Sequence, residues 1–139
     1  MTGPLTEDER RAVGGALEEA VPGSVAAGAL DYVEQLLGAF DHEPPRIWAA
    51  PGDWSGGPGG WLELGPWERQ AWRSRIADWL AAYRRVAAGG TEPADLRLVH
   101  VHACEATYGD PAYGGNRDEA GWRRIAFPTP VFPPSRVDR

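Results

Sequence analysis

Between Pro66 and the Gly89-Gly90 pair, apolar residues recur at Trp72, Ile76, Trp79, Leu80, Tyr83 and Ala87. Steps of three and four residues gather such side chains on one face of an α-helix. Pro66 suits the first helical turn, where its missing N–H leaves nothing unpaired, and the two glycines stop the helix. Arg69, Arg73, Arg84 and Arg85 fall off this stripe. A basic, tryptophan-bearing helix also suits a membrane surface, but in a small chain the stripe is needed by the core. The other elements must therefore supply apolar faces that cover it.

Two such faces lie upstream. Thr6-Glu7-Asp8-Glu9 has the spacing of a capping box, and Val13, Ala16, Leu17 and Ala20 follow at helical intervals. Pro22-Gly23 ends that helix. Ser24 is placed to cap a second, whose Ala29, Val33, Leu36, Leu37 and Phe40 share a stripe. The two should form an antiparallel pair. Downstream, Thr91-Glu92-Pro93 opens another segment. Leu96 to His102 alternates as a strand would, yet a lone strand leaves its ladder unpaired, so helix is favoured through Tyr108. A short helical possibility follows at Asp118 to Ile125, and prolines then break the tail from Phe127 to Pro134.

The stretch from Asp41 to Gly65 shows no period of either kind and reads as a long loop holding Trp48, Trp54 and Trp61. Loops of this length are functional or disordered as a rule. With 18 glycines, 13 prolines and 7 tryptophans, the chain joins much punctuation to large rings, and disordered segments are poor in rings. These tryptophans either dock against a partner or cover the chain's own core. The expectation is a mainly α fold over one domain, 1–139: a small bundle of about four helices, long ordered Gly/Pro/Trp-rich loops and an irregular C-terminal tail.

Charge and cysteine content narrow the function. All 14 basic residues are arginine, and 20 acidic residues outweigh them to a net charge of −6, so a broad cationic field for nucleic acid is not expected. The single Cys104 excludes an internal disulfide and a multi-thiolate metal site. The start has acidic residues where a signal peptide is basic, and no stretch approaches a bilayer span. A cytoplasmic location without direct membrane insertion is expected.

His102 and Glu105 share a helical face, whereas His100 and His102 point roughly 200° apart. Two ligands fall short of a catalytic zinc site, so no metal is expected and a hydrogen-bonded structural pair is the plainer reading. His100 lies one turn before Cys104, but no third group or nucleophile elbow accompanies them. Neither glycine run matches a dinucleotide or phosphate fingerprint, so no cofactor is expected in this chain. An alternative is a small self-contained enzyme with His102, Glu105, Tyr113, Asn116 and Asp118 around one polar pocket as acid, base and substrate anchors.

The segment Tyr113-Gly114-Gly115-Asn116-Arg117-Asp118 holds the chain's one asparagine. The glycines free the backbone, and the next three residues supply donor, cation and acceptor. Such a group either anchors a partner or staples the chain internally, with Arg117 paired to a carboxylate.

His102 and Glu105, then Tyr108-Gly109-Asp110-Pro111, Tyr113-Gly114-Gly115-Asn116, Trp122 and Phe127-Pro128 together form a pattern. It resembles the gluconate 2-dehydrogenase subunit 3 family, small subunits that accompany FAD-dependent dehydrogenases of the glucose-methanol-choline class. The match is dense from His102 to Pro128 and looser upstream, at His42 to Trp48 and Trp67 to Ile76. The resemblance implies a helical accessory subunit that binds and stabilises or matures a large FAD-dependent oxidoreductase acting on an alcohol or sugar hydroxyl. Hydride chemistry would belong to the partner's FAD. The partner-binding residues implied are Trp48, Trp54, Tyr113, Gly114, Gly115, Asn116, Arg117 and Trp122. Many family members begin with a twin-arginine export signal; Thr6 to Ala20 reads as a mature helix instead, so export would need a signal carried by the partner.

Overall fold

A computed structural model describes residues 3–43, 45–49, 60–61, 64–109 and 115–125. It is mainly helical. Among the described residues five α-helices run in order: α1 (Glu7–Ala20), α2 (Ala29–Leu37), α3 (Pro66–Ala87), α4 (Pro93–Tyr108) and α5 (Ala120–Arg124). Trp54, Tyr113, Gly114, the Asp110-Pro111 turn and the tail from Phe127 lie outside the described residues.

The capping box forms as its spacing requires: Glu9 N–H donates to Thr6 Oγ1 at 3.1 Å and Thr6 N–H to Glu9 Oε2 at 2.9 Å. At the other end of α1 the expectation for Ser24 is corrected. Its hydroxyl donates back to the Leu17 carbonyl at 2.9 Å and is fully buried, while α2 begins only at Ala29, after Gly28 at φ +95°. Ser24 thus satisfies an orphan carbonyl at the end of α1 rather than an amide at the start of α2. Glu18 clamps the same turn by accepting the Gly23 and Val25 N–H groups at 2.7 and 3.3 Å, and these bonds hold its carboxyl below the usual range.

α1 and α2 run antiparallel. Arg10 pairs with Glu34 and Asp31, and a side chain at Gly14 would meet Leu30, so residues ascending along α1 face residues descending along α2. α3 and α4 form the second hairpin. Gly89 at φ +91° turns the chain, the Gly90 N–H returns to the Arg85 carbonyl, and the Arg85 guanidinium grips Asp95 through two bonds of 2.7 and 2.9 Å. That grip holds the Asp95 carboxyl below the usual range. The segment with strand-like alternation, Leu96 to His102, is helical throughout.

Val13 and Leu17 of α1, Val33 of α2, Tyr83 of α3 and Val99, Ala103 and Ala106 of α4 share the main core. Alanine at 103 and 106 lets three neighbouring helices approach α4 closely. A smaller cluster joins Ala39, Ile47 and Ile76 to Phe40, Leu64, Trp72 and Trp79. The region expected to be an unbroken loop carries a two-residue antiparallel ladder, β1 (Trp48–Ala49) with β2 (Gly60–Trp61), in the register Trp48 to Trp61 and Ala49 to Gly60. No described helix is long and apolar enough to cross a membrane.

Leu17 has no exposed surface. Urea titration of Leu17→Ala should show a loss of about 2–5 kcal/mol, whereas Trp67→Ala, at a position 81% exposed, should stay within about 0.5 kcal/mol of the parent.

Candidate functional site

The residues singled out by chemistry converge on α4, but they divide between its interior and its surface. His102 is 3% exposed and faces α3. Its Nδ1 lies 2.8 Å from the hydroxyl of Tyr83, which has no exposed surface. The rings of this pair stack at 12°, and Trp79 meets the imidazole edge-on at 4.9 Å between centroids. Burial pushes the His102 pKa down, partly opposed by the charge of Glu105. Burial pushes Tyr83 upward, reinforced by Glu105 and Tyr32. Both shifts favour neutral groups; the tyrosine O–H has no other acceptor among the described residues, so it donates to Nδ1, which places the imidazole proton on Nε2.

Glu105 follows His102 by three residues, but its side chain turns to the surface, where its carboxylate accepts the Tyr32 hydroxyl of α2 at 2.8 Å. Two tyrosine bonds, one buried and one outer, therefore fasten α4 to α3 and α2. Among the described residues no three His, Cys, Asp or Glu side chains gather around a point where an ion could sit. His100 touches the Cys104 sulfur at 3.9 Å through either ring nitrogen, with no orienting bond on its ring among the described residues.

Asn116 is fully buried. Its amide NH2 donates to the Gly109 carbonyl at 2.8 Å, and its Oδ1 accepts the Gly121 and Trp122 N–H groups at 2.8 and 3.3 Å. Its backbone N–H donates to the Ala106 carbonyl and its own carbonyl accepts from Glu119 N–H at 2.8 Å. One side chain thus caps the end of α4 and the start of α5 together. Asn116, Asp118 and Glu119 all adopt positive φ, between 45° and 59°. Asparagine and aspartate tolerate that region and glutamate does so poorly, so the bonds of Asn116 hold a backbone that would relax alone.

Gly121 passes so close to the Thr107 carbonyl that a Cβ there would overlap it, and Gly115 stands in the same relation to Ala106. Trp122 is buried, its indole N–H donating to the Tyr108 carbonyl at 2.7 Å. Arg117 reaches across to Asp31 of α2 at 2.8 Å, and its N–H bonds the Ala27 carbonyl. This is the internal staple that the residue types allow.

Two expectations are corrected by this geometry. Gly115, Asn116 and Trp122 lie inside the chain, so they hold the turn in shape and do not themselves present a contact surface; Arg117 remains half exposed. Among the described residues the polar pocket of the enzyme alternative does not assemble. His102 faces inward, Glu105 and Asp118 face outward, and Asn116 has its amide atoms bonded within the turn. Two cavities formed by described residues lie elsewhere: an acidic groove beside Asp31, Glu34 and Asp41, and an aromatic cavity beside Trp72 and Trp79. Tyr83 and Tyr32 were not singled out in sequence, although a tyrosine in the middle of a core stripe implies a buried partner for its hydroxyl. No family model, curated protein or solved structure matches the chain.

Asn116→Ala leaves two amides and one carbonyl without their partner and should cost about 3 kcal/mol or more in urea unfolding. Gly121→Ala removes no hydrogen bond, yet it should destabilise comparably through its clash with α4. Asn116→Asp keeps the acceptor and should fall between the parent and Asn116→Ala.

Proposed function

We propose that this chain is a small accessory subunit that binds, and stabilises or matures, a larger FAD-dependent oxidoreductase acting on an alcohol or sugar hydroxyl. The reading rests on the pattern from His102 to Pro128 and its resemblance to gluconate 2-dehydrogenase subunit 3. The observation that carries it is the internal use of that pattern's polar groups. His102 and Asn116 bond inside the chain, so the described part of the pattern acts as architecture and presents no exposed acid–base pair. A chain of this kind works through the surfaces it displays, and hydride transfer belongs to the flavin of the partner.

Trp67 supports the same reading. It stands 81% exposed at the start of α3, while the other described large apolar residues are less exposed. Exposed tryptophan is a common anchor of interfaces. The proposed contacts are Trp67, Arg117 and the residues Trp48, Trp54, Tyr113 and Gly114, with Asn116 and Trp122 holding the turn behind them.

The test is to tag the chain in its native host, purify it gently, and record both the co-purifying polypeptides and the visible spectrum. A yellow complex containing one large flavoprotein in fixed ratio is expected, and Trp67→Ala should lower that ratio several-fold without changing the melting temperature. A colourless, solitary chain would reject the proposal.

A further inference from the structure

The aromatic cavity has about 200 Å³ of space and lies between α2 and α3. One wall is a single face of α3, where Trp72, Ile76 and Trp79 follow at steps of four and three. Trp72 and Trp79 meet edge to face, with centroids 6.4 Å apart at 75°. Tyr32 and Leu36 of α2 also line it, together with Ala39 and Ile47. For comparison, an engineered apolar cavity of about 150 Å³ takes up benzene. The space therefore admits one six-membered ring with a short arm.

Among the described residues that line it, Arg46 is the one ionised side chain. Among the described residues Arg46 forms no ion pair and no side-chain hydrogen bond, in contrast to Arg69, which Glu43 grips through bonds of 3.1 and 3.3 Å. Two more guanidiniums stand close by on aromatic faces: Arg75 lies over Trp72 at 4.6 Å and Arg73 over Phe40 at 5.0 Å. Arg46 thus lines the cavity, Arg75 stacks on its Trp72 wall and Arg73 on the neighbouring Phe40, while the Glu105 carboxylate is taken up by the Tyr32 hydroxyl on the α2 side. An arginine beside an apolar wall is best satisfied by a planar anion that it can hold through two parallel bonds.

We propose that this cavity binds a small aromatic monocarboxylate, its ring between Trp72, Ile76 and Trp79 and its carboxylate on Arg46. The site is separate from the Asn116 turn and stands whether or not the chain works beside a flavoprotein. Because Trp79 also meets the His102 ring, the bound ring would rest one side chain away from the Tyr83–His102 pair.

Three ligands of one shape and different charge test it: phenylacetate, 2-phenylethanol and 2-phenylethylammonium. Each is titrated into the full chain while the indole N–H signals of Trp72 and Trp79 are followed by NMR. Phenylacetate should shift both signals and bind about tenfold or more tighter than the alcohol, with the ammonium weakest. In Arg46→Gln, a change at an exposed position that leaves the fold intact, the acid should fall to the affinity of the alcohol. Ala39→Leu, which narrows the cavity, should weaken all three. Equal affinity for acid and alcohol in the parent would overturn the proposal. So would an acid preference that survives in Arg46→Gln, or unmoved indole signals at millimolar phenylacetate.

Discussion

The hydroxyl of Tyr83 lies at the centre of a core too small to exclude it and too dry to leave it unpaired. α3 needs a large ring at that position to meet α1 and α4, and an aromatic ring without a hydroxyl would need no partner. With tyrosine there, α4 must offer an acceptor at one height and orientation, and His102 does so through Nδ1. The bond fixes the register of α3 on α4 and demands a neutral imidazole. Trp79 then packs on the edge of that ring, and its other surroundings form the aromatic cavity. Glu105, three residues on, faces outward and binds Tyr32, so α2 is aligned by the same helix. Histidine and glutamate in this spacing invite a catalytic or metal-binding reading, but here both hold helices together.

A second constraint acts at the end of α4. The chain must reverse direction and pack a short helix where Gly121 almost touches the backbone of Thr107. Such an approach brings together amides and carbonyls that helices cannot pair among themselves. Asn116 has a donor and an acceptor on one rigid plane and joins both sides. Burial of the amide explains why a residue type associated with turns is packed like a core residue. It also explains why Asn116 and Trp122 serve shape: their bonds close inward, onto Gly109, Gly121 and Tyr108.

Periodicity revealed the helices because apolar burial on one face is a local, repeating demand. α3 follows its stripe from Pro66 to Ala87, and the threonine–glutamate spacing marks the start of α1. Ser24 misled for a physical reason, since a serine after a proline–glycine turn can close the helix behind it as readily as open the one ahead. The ladder between β1 and β2 was hidden because two residues per strand leave no period to read. Pairings across distance were the least legible. Tyr83 with His102, Tyr32 with Glu105 and Arg117 with Asp31 join positions 19, 73 and 86 residues apart, and nothing local announces them. The staple at Arg117 was readable as a kind of bond, but not as a bond to α2.

The pairing of a neutral His102 with Tyr83 is most directly tested by following the ring nitrogens of His102 with NMR while pH is lowered. The folded protein holds this ring below the ordinary histidine value of 6.5. Protons are therefore taken up by the unfolded chain before the folded one, so the stability contributed by the neutral ring is complete above about pH 6.5 and is lost as pH falls below it. The expected imidazole is protonated on Nε2 alone, with Nδ1 in its acceptor state, and remains so as pH passes down through that value. A His102 ring that titrates at or above the ordinary value, or that carries its neutral proton on Nδ1, would contradict it.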